Sequence, residues 1–159
     1  MTATATNDAC EEQDIKGRLA FLEIEDANRE QIRKAKSIVE RELPPALDHF
    51  YELVRKNPET RKFFSSDDHM RGAKNAQIAH WASITTGDFD ENYVSRVRKI
   101  GSVHARIGLE PRWYIGGYGL IVERLICGVL KENWPTGGMF GKKSGSVDDT
   151  GSMLISLLK

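Results

Sequence analysis

The stretch KIGSVHARIGLEPRWYIGGY, Lys99 to Tyr118, sets one histidine in an apolar helical stripe just ahead of a hard helix stop. Tyr93, Val97, Ile100, His104 and Ile107 step by four, three, four and three residues, so they share one face of a helix running from Glu91 to Ile107. Asp90 supplies its N-cap, and Gly108 suits the left-handed position past its end, where a residue without Cβ adopts positive φ at little cost. Pro111 then opens a long helix to about Asn133 that is apolar on nearly all sides. The spacing places His104 on the buried face. An imidazole there must find a partner, and for a core histidine that partner is ordinarily a backbone carbonyl.

The same signals lay out helices upstream. Ile15, Leu19 and Leu22 mark a short one behind a polar, acidic N-terminal segment. Asp26 caps a helix to about Glu42, with Ile32, Ala35 and Val39 inward; Pro44 and Pro45 are expected to interrupt it. A second helix then runs to Lys56 with the stripe Leu43, Leu47, Phe50, Tyr51 and Val54. Asn57-Pro58 starts a short helix that carries Phe63 and Phe64. Ser66 to Asp68 starts another, to about Thr86 and stopped by Gly87, with Ala73, Ala76, Gln77, His80, Trp81 and Ile84 on one face. Trp134 to Ser152 is rich in Gly and Ser and reads as a long loop, and Met153 to Lys159 as a helix cut short that continues into a larger protein. The prediction is an all-α domain of about seven or eight helices over residues 26–159, globin-like or a simple bundle, behind a mobile segment at 1–25.

Composition narrows the class. The 159 residues suffice for one domain with a sizeable core. Lys plus Arg and Asp plus Glu both number 23, so no basic field draws in nucleic acid or anionic lipid. The N-terminal residues lack the apolar run of a signal peptide, and nowhere do about 18 uninterrupted apolar residues occur. Cys10 and Cys127 stand at no disulfide or metal spacing, and the expectation is a cytoplasmic domain with plain thiols and no membrane contact. No zinc-like spacing, Ser-His-Asp arrangement or phosphate-binding loop is present, so the domain itself is expected not to be an enzyme.

In this company His104 takes on a second reading. A neutral imidazole aimed from an apolar helix face into a cavity is what haem iron takes as its proximal ligand, and Gly101, one turn earlier, removes bulk where a flat macrocycle would approach. FYELVRKNPETRKFF (Phe50 to Phe64), QIAHWASITTGDFDENY (Gln77 to Tyr93) and IGSVHARIGLEPRWYIGGY (Ile100 to Tyr118) resemble, in order and spacing, the globin-coupled sensor family of bacterial haem domains, which are similar to protoglobins. The resemblance covers roughly Asp26 to Asn133. It implies a globin fold holding haem b, with His104 as the metal ligand, Tyr51 as the distal tyrosine that hydrogen-bonds oxygen, and Trp113 and Tyr114 as the proximal-side pair.

Phe50, Phe64, Ala73, Ala76, Gln77, Ile107 and Tyr118 complete the residues expected around the cofactor. Ala73 and Ala76 depart from the leucine and the serine or threonine common in the family, which leaves Tyr51 as the main distal donor, with Gln77 as a substitute. His80 resembles a structural histidine, while His49 and His69 are expected to be solvated. The implied function is a gas sensor that binds O2, and equally CO or NO, at ferrous haem. It would signal to a C-terminal output domain such as a chemotaxis transducer, a histidine kinase or a diguanylate cyclase. A stand-alone oxygen-binding or haem-redox globin and a haemless interaction module are the alternatives. The resemblance also implies a homodimer through the 111–133 helix and the final helix.

Overall fold

The computed structural model describes residues 15–133 together with 152–154, 156 and 158. Cys10 and the Gly- and Ser-rich stretch expected to be a loop, up to residue 151, lie outside the described residues. Helix α1 spans 15–21, and α2 (Asp26–Lys34), α3 (Lys36–Lys56), α4 (Pro58–Arg61), α5 (Asp67–Ile84), α6 (Glu91–Arg106) and α7 (Pro111–Asn133) follow. Residues 152–154, 156 and 158 are helical again. The fold is all-α and globin-like, with no strand among the described residues.

The helix starts sit where side chains can satisfy free amide groups. Asn57 accepts from Glu59 N–H (2.9 Å), Ser66 from His69 N–H (3.1 Å) and Asp90 from Tyr93 N–H (2.8 Å). Gly87 and Gly108 both adopt φ of 68°, ending α5 and α6 as expected. The start of α2 differs by one residue: Glu25 is the N-cap, and its N–H donates to Asn28 Oδ1 at 3.1 Å.

One boundary falls elsewhere. The break lies at Ala35, and α3 runs through Pro44 and Pro45 without interruption. These prolines deprive the carbonyls of Glu40 and Arg41 of their donors, but both residues are exposed, so water can take the place of the lost bonds. On the other side Ile38, Val39, Leu43, Ala46 and Leu47 are buried and hold the helix continuous against the core. Packing here outweighs the helix-breaking tendency.

The core lies where α3 crosses α7, with α5 and α4 completing it. Ile121, Leu125 and Val129 of α7 meet Ile38, Val39, Leu43 and Leu47 of α3 in one cluster. The helices approach closely because α7 offers glycines: a Cβ on Gly128 would stand 2.6 Å from Glu42 Cγ and 3.1 Å from Ile38 Cγ2. By length and composition α7 could also cross a membrane, yet its inner face is packed on α3 as a core helix is. Helix α6 belongs to none of the extensively packed pairs, and Val94 is its one buried residue.

Glycines in α7 and α5 should respond with opposite signs. Gly128→Val forces α3 and α7 apart and should cost about 1–3 kcal/mol. Gly72→Ala, on α5 with nothing within 4 Å of its new methyl, should gain about 0.5–1 kcal/mol from helix propensity. Urea denaturation of both variants measures the two shifts.

Candidate functional site

Tyr51 lies on the inward stripe of α3 and is 4% exposed. Phe50 meets its ring edge-on at 5.0 Å between centroids, and Phe64 does so at 6.0 Å. Its hydroxyl makes no hydrogen bond with another described residue, and burial alone pushes the phenol pKa well above its ordinary value. On its outer side Tyr51 borders a cavity of about 230 Å³ among Arg55, Asp67, Met70 and Lys74.

A chain of contacts leads from Tyr51 to His104. Phe50 lies against Gly117 of α7, where a Cβ would come within 2.8 Å of Phe50 Cε2. One turn before Gly117, Tyr114 stacks on the His104 imidazole, with centroids 5.7 Å apart and planes 15° from parallel. Thus Phe50 of α3 and His104 of α6 both meet α7 within one turn, at Gly117 and at Tyr114. Neither His104 ring nitrogen hydrogen-bonds another described residue, so the carbonyl partner of an ordinary core histidine is not among them. Burial lowers the imidazole pKa and keeps it neutral at pH 7.

The stripe carrying His104 is less covered than its spacing suggests. Tyr93, Val97, Ile100 and His104 are half-buried and Ile107 is 40% exposed. No described helix packs extensively on this face, which explains the difference.

At the other end of the cleft between α5 and α6 lies a cavity of about 450 Å³, bounded also by α1, α7 and Leu158. His80 of α5 stacks on Tyr93 of α6 (6.2 Å, 16°), and Trp81 approaches Tyr118 of α7 at 6.0 Å. Gln77 Oε1 and His80 Nδ1, one turn apart on α5, are buried with no hydrogen-bond partner among the described residues. Burial, and after it the charge of Arg96, lowers the His80 pKa.

Of the residues singled out in the sequence, Tyr118 borders this larger cavity and Tyr51 the smaller one; His104 borders neither. Phe50, Phe64 and Ala73 pack against the core, Ala76 is exposed, and Trp113 is half-buried beneath the Arg112 guanidinium at 5.0 Å. A Cβ on Gly101 would meet nothing within 4 Å, so the space beside it is open. His49 and His69 are exposed, the latter within 3.3 Å of Ser65 N–H. Sequence reasoning missed Met70, fully buried beside Tyr51, although it extends the Ala73 stripe back by three residues. No cluster of three or more His, Cys, Asp or Glu able to hold a metal occurs among the described residues.

The Protoglobin family model matches residues 11–155. The chain belongs to that family. It is also similar to the heme-based aerotactic transducer HemAT of Halobacterium salinarum, with 25% identity over 117 residues, 73% of this chain and 24% of the transducer. It therefore spans about a quarter of that relative's length.

The depressed His80 pKa has a measurable consequence. Below the ordinary imidazole value of 6.5 the unfolded chain binds more protons than the folded one, so stability is full above that pH and falls as pH drops through it. The urea midpoint of the cofactor-free chain should fall from about pH 7 to about pH 5.5, and His80→Gln should flatten that slope.

Proposed function

We propose that this chain is a haem-based oxygen sensor domain: haem b lies in the cleft between α5 and α6, His104 is its proximal ligand, and Tyr51 is the distal hydrogen-bond donor. The carrying observation is His104 itself, a neutral imidazole with both ring nitrogens free of hydrogen bonds among the described residues, on a helix face left half-covered. An iron porphyrin fits these residues. Its apolar ring would cover Val97, Ile100 and Ile107, and the imidazole would meet a metal's demand for a nitrogen lone pair. The haem association carried in the name of the similar transducer supports the reading.

Haem held by His104 would supply a ferrous centre able to bind O2, CO or NO. The protein residues do the rest. Tyr51 would donate a hydrogen bond from its hydroxyl to a polar ligand beside the Phe50 and Phe64 rings, and burial holds the phenol protonated so that it can donate. The side-chain NH2 of half-buried Gln77 is the substitute donor. Tyr114, stacked on His104, passes a displacement of the imidazole into α7, since a signal requires contacts that differ between the two ligation states. Helix α7 leads on to an output domain, with a chemotaxis transducer favoured by the similar protein. The domain is cytoplasmic and dimerises through α7 and the final helix, where Ile115 and Leu158 are exposed apolar residues that a second copy would cover.

The purified chain should carry about one haem per chain, His104→Ala should lose it, and His80→Ala should keep it, as read from the visible absorption spectrum. A five-coordinate, histidine-ligated ferrous spectrum surviving in His104→Ala would overturn the assignment.

Tyr51→Phe removes one hydrogen bond from an apolar pocket, a loss of about 1–1.5 kcal/mol. Oxygen should then dissociate about tenfold faster, while carbon monoxide, less polar when bound, should respond much less. Stopped-flow measurement of both gases separates this from a Tyr51 that faces elsewhere, for which both rates would change little and equally.

A further inference from the structure

We propose that the 450 Å³ cavity is a second ligand site, one that takes a medium-chain fatty acid, with Arg18, Tyr93 and Tyr118 holding the carboxylate and the aliphatic walls covering the chain. The site shares Val97 with the surface assigned to the porphyrin, but neither His104 nor Tyr51 lines it, so the inference does not rest on the haem reading.

Most of the wall is aliphatic. Leu19, Ile32, Ile84, Val94 and Val122 stand in it, each contributed by a different helix. No carboxylate is among the lining residues. The volume lies in the range of about 300–1,000 Å³ in which pockets bury small ligands.

The polar groups of the wall come together from three helices. Tyr93 of α6 and Tyr118 of α7 both line the cavity, and Tyr118 and Arg18 of α1 both act electrostatically on the Tyr93 phenol. Burial, and after it Tyr118, raises the Tyr93 pKa against the opposing charges of Arg18 and Arg96, and burial raises that of Tyr118. Both phenols therefore keep their protons at pH 7, and neither hydroxyl hydrogen-bonds another described residue. Helix α5 seats the two rings, His80 against Tyr93 at 6.2 Å and Trp81 against Tyr118 at 6.0 Å between centroids. Arg18 is exposed, so its guanidinium stays hydrated at the rim.

Two neutral donors beside one guanidinium, with no acid in the wall, select an anion that accepts several hydrogen bonds at once. A carboxylate does so, because its two oxygens can meet the planar guanidinium fork and still accept from a phenol. The aliphatic wall requires that anion to carry an alkyl chain, since a free anion would leave the apolar surface in water.

Calorimetric titration of the full chain with decanoate, decanol and decylamine at pH 7 tests the assignment. Wild type should bind about one decanoate per chain, bind decanol more weakly, and reject decylamine, whose ammonium group would meet Arg18. Tyr93→Phe and Tyr118→Phe, which remove only a hydroxyl, should each weaken decanoate about tenfold. Arg18→Gln, at an exposed rim, should weaken it about fivefold, and Arg18→Lys should recover part of that loss. All of these variants should hold decanol within about twofold of wild type, and His104→Ala should bind decanoate as wild type does. Absence of decanoate binding, uptake of decylamine equal to that of decanoate, or equal losses of decanoate and decanol in the variants would each overturn the inference. Release of haem from the loaded chain by decanoate would make the cavity part of the cofactor pocket and overturn it too. A chain that binds decanoate as expected but takes up no haem overturns the haem reading alone.

Discussion

The close approach of α3 and α7 is the constraint on which the remaining architecture depends. Two glycines of α7, Gly117 and Gly128, receive Phe50, Glu42 and Ile38 of α3 where side chains would otherwise collide. That contact organises the core around Leu47, Leu125 and Val129, each all but inaccessible. It also seats Phe50, whose ring adjoins that of Tyr51, against Gly117, one turn from the Tyr114 that stacks on His104. Peripheral ion pairs, such as Arg41 with Glu132 at 2.8 Å, decorate the same crossing but are exposed and contribute little.

With α3, α5 and α7 satisfied by one another, α6 is left to stand off. Its apolar stripe remains half in water, an arrangement that wastes stabilisation of about 25 cal/mol for every Å² left uncovered. The buried Gln77 and His80 atoms without partners on the facing helix point the same way. Both walls of the cleft are therefore incomplete as protein surfaces, one lacking apolar cover and the other hydrogen bonds. A ligand that supplies the cover stabilises the fold by mass action, so cofactor binding and the positioning of α6 are thermodynamically coupled.

How much of this could be read from the sequence depends on whether the signal is local. Asn57, Ser66, Asp90, Gly87, Gly108 and Pro111 act within a turn of their own position, and the helix limits they imply are found. Pro44 and Pro45 misled because their effect was settled by distant contacts: the buried flank of α3 held the helix together through carbonyls that water could satisfy. Periodicity placed His104 and Tyr51 on inward faces, but it cannot tell a stripe covered by protein from one left open, which is why the half-exposure of α6 was not legible.

The position of α6 also constrains how a change at His104 could be transmitted in the proposed sensor. A helix that packs extensively on nothing can shift at small cost, but for the same reason it drives little through its own backbone. The stacked pair His104–Tyr114 is different, because Tyr114 belongs to α7, which forms with α3 the most extensive helix pair among the described residues. Three residues on, Gly117 sits against Phe50, so rotation of α7 near Tyr114 is resisted on one side by the ring adjoining Tyr51. Phe50, whose ring adjoins that of Tyr51, and His104 thus bear on the same turn of α7. In the proposed sensor a ligand state felt at either residue would change the packing of that turn, and α7, packed along α3, would be the element to carry the change away.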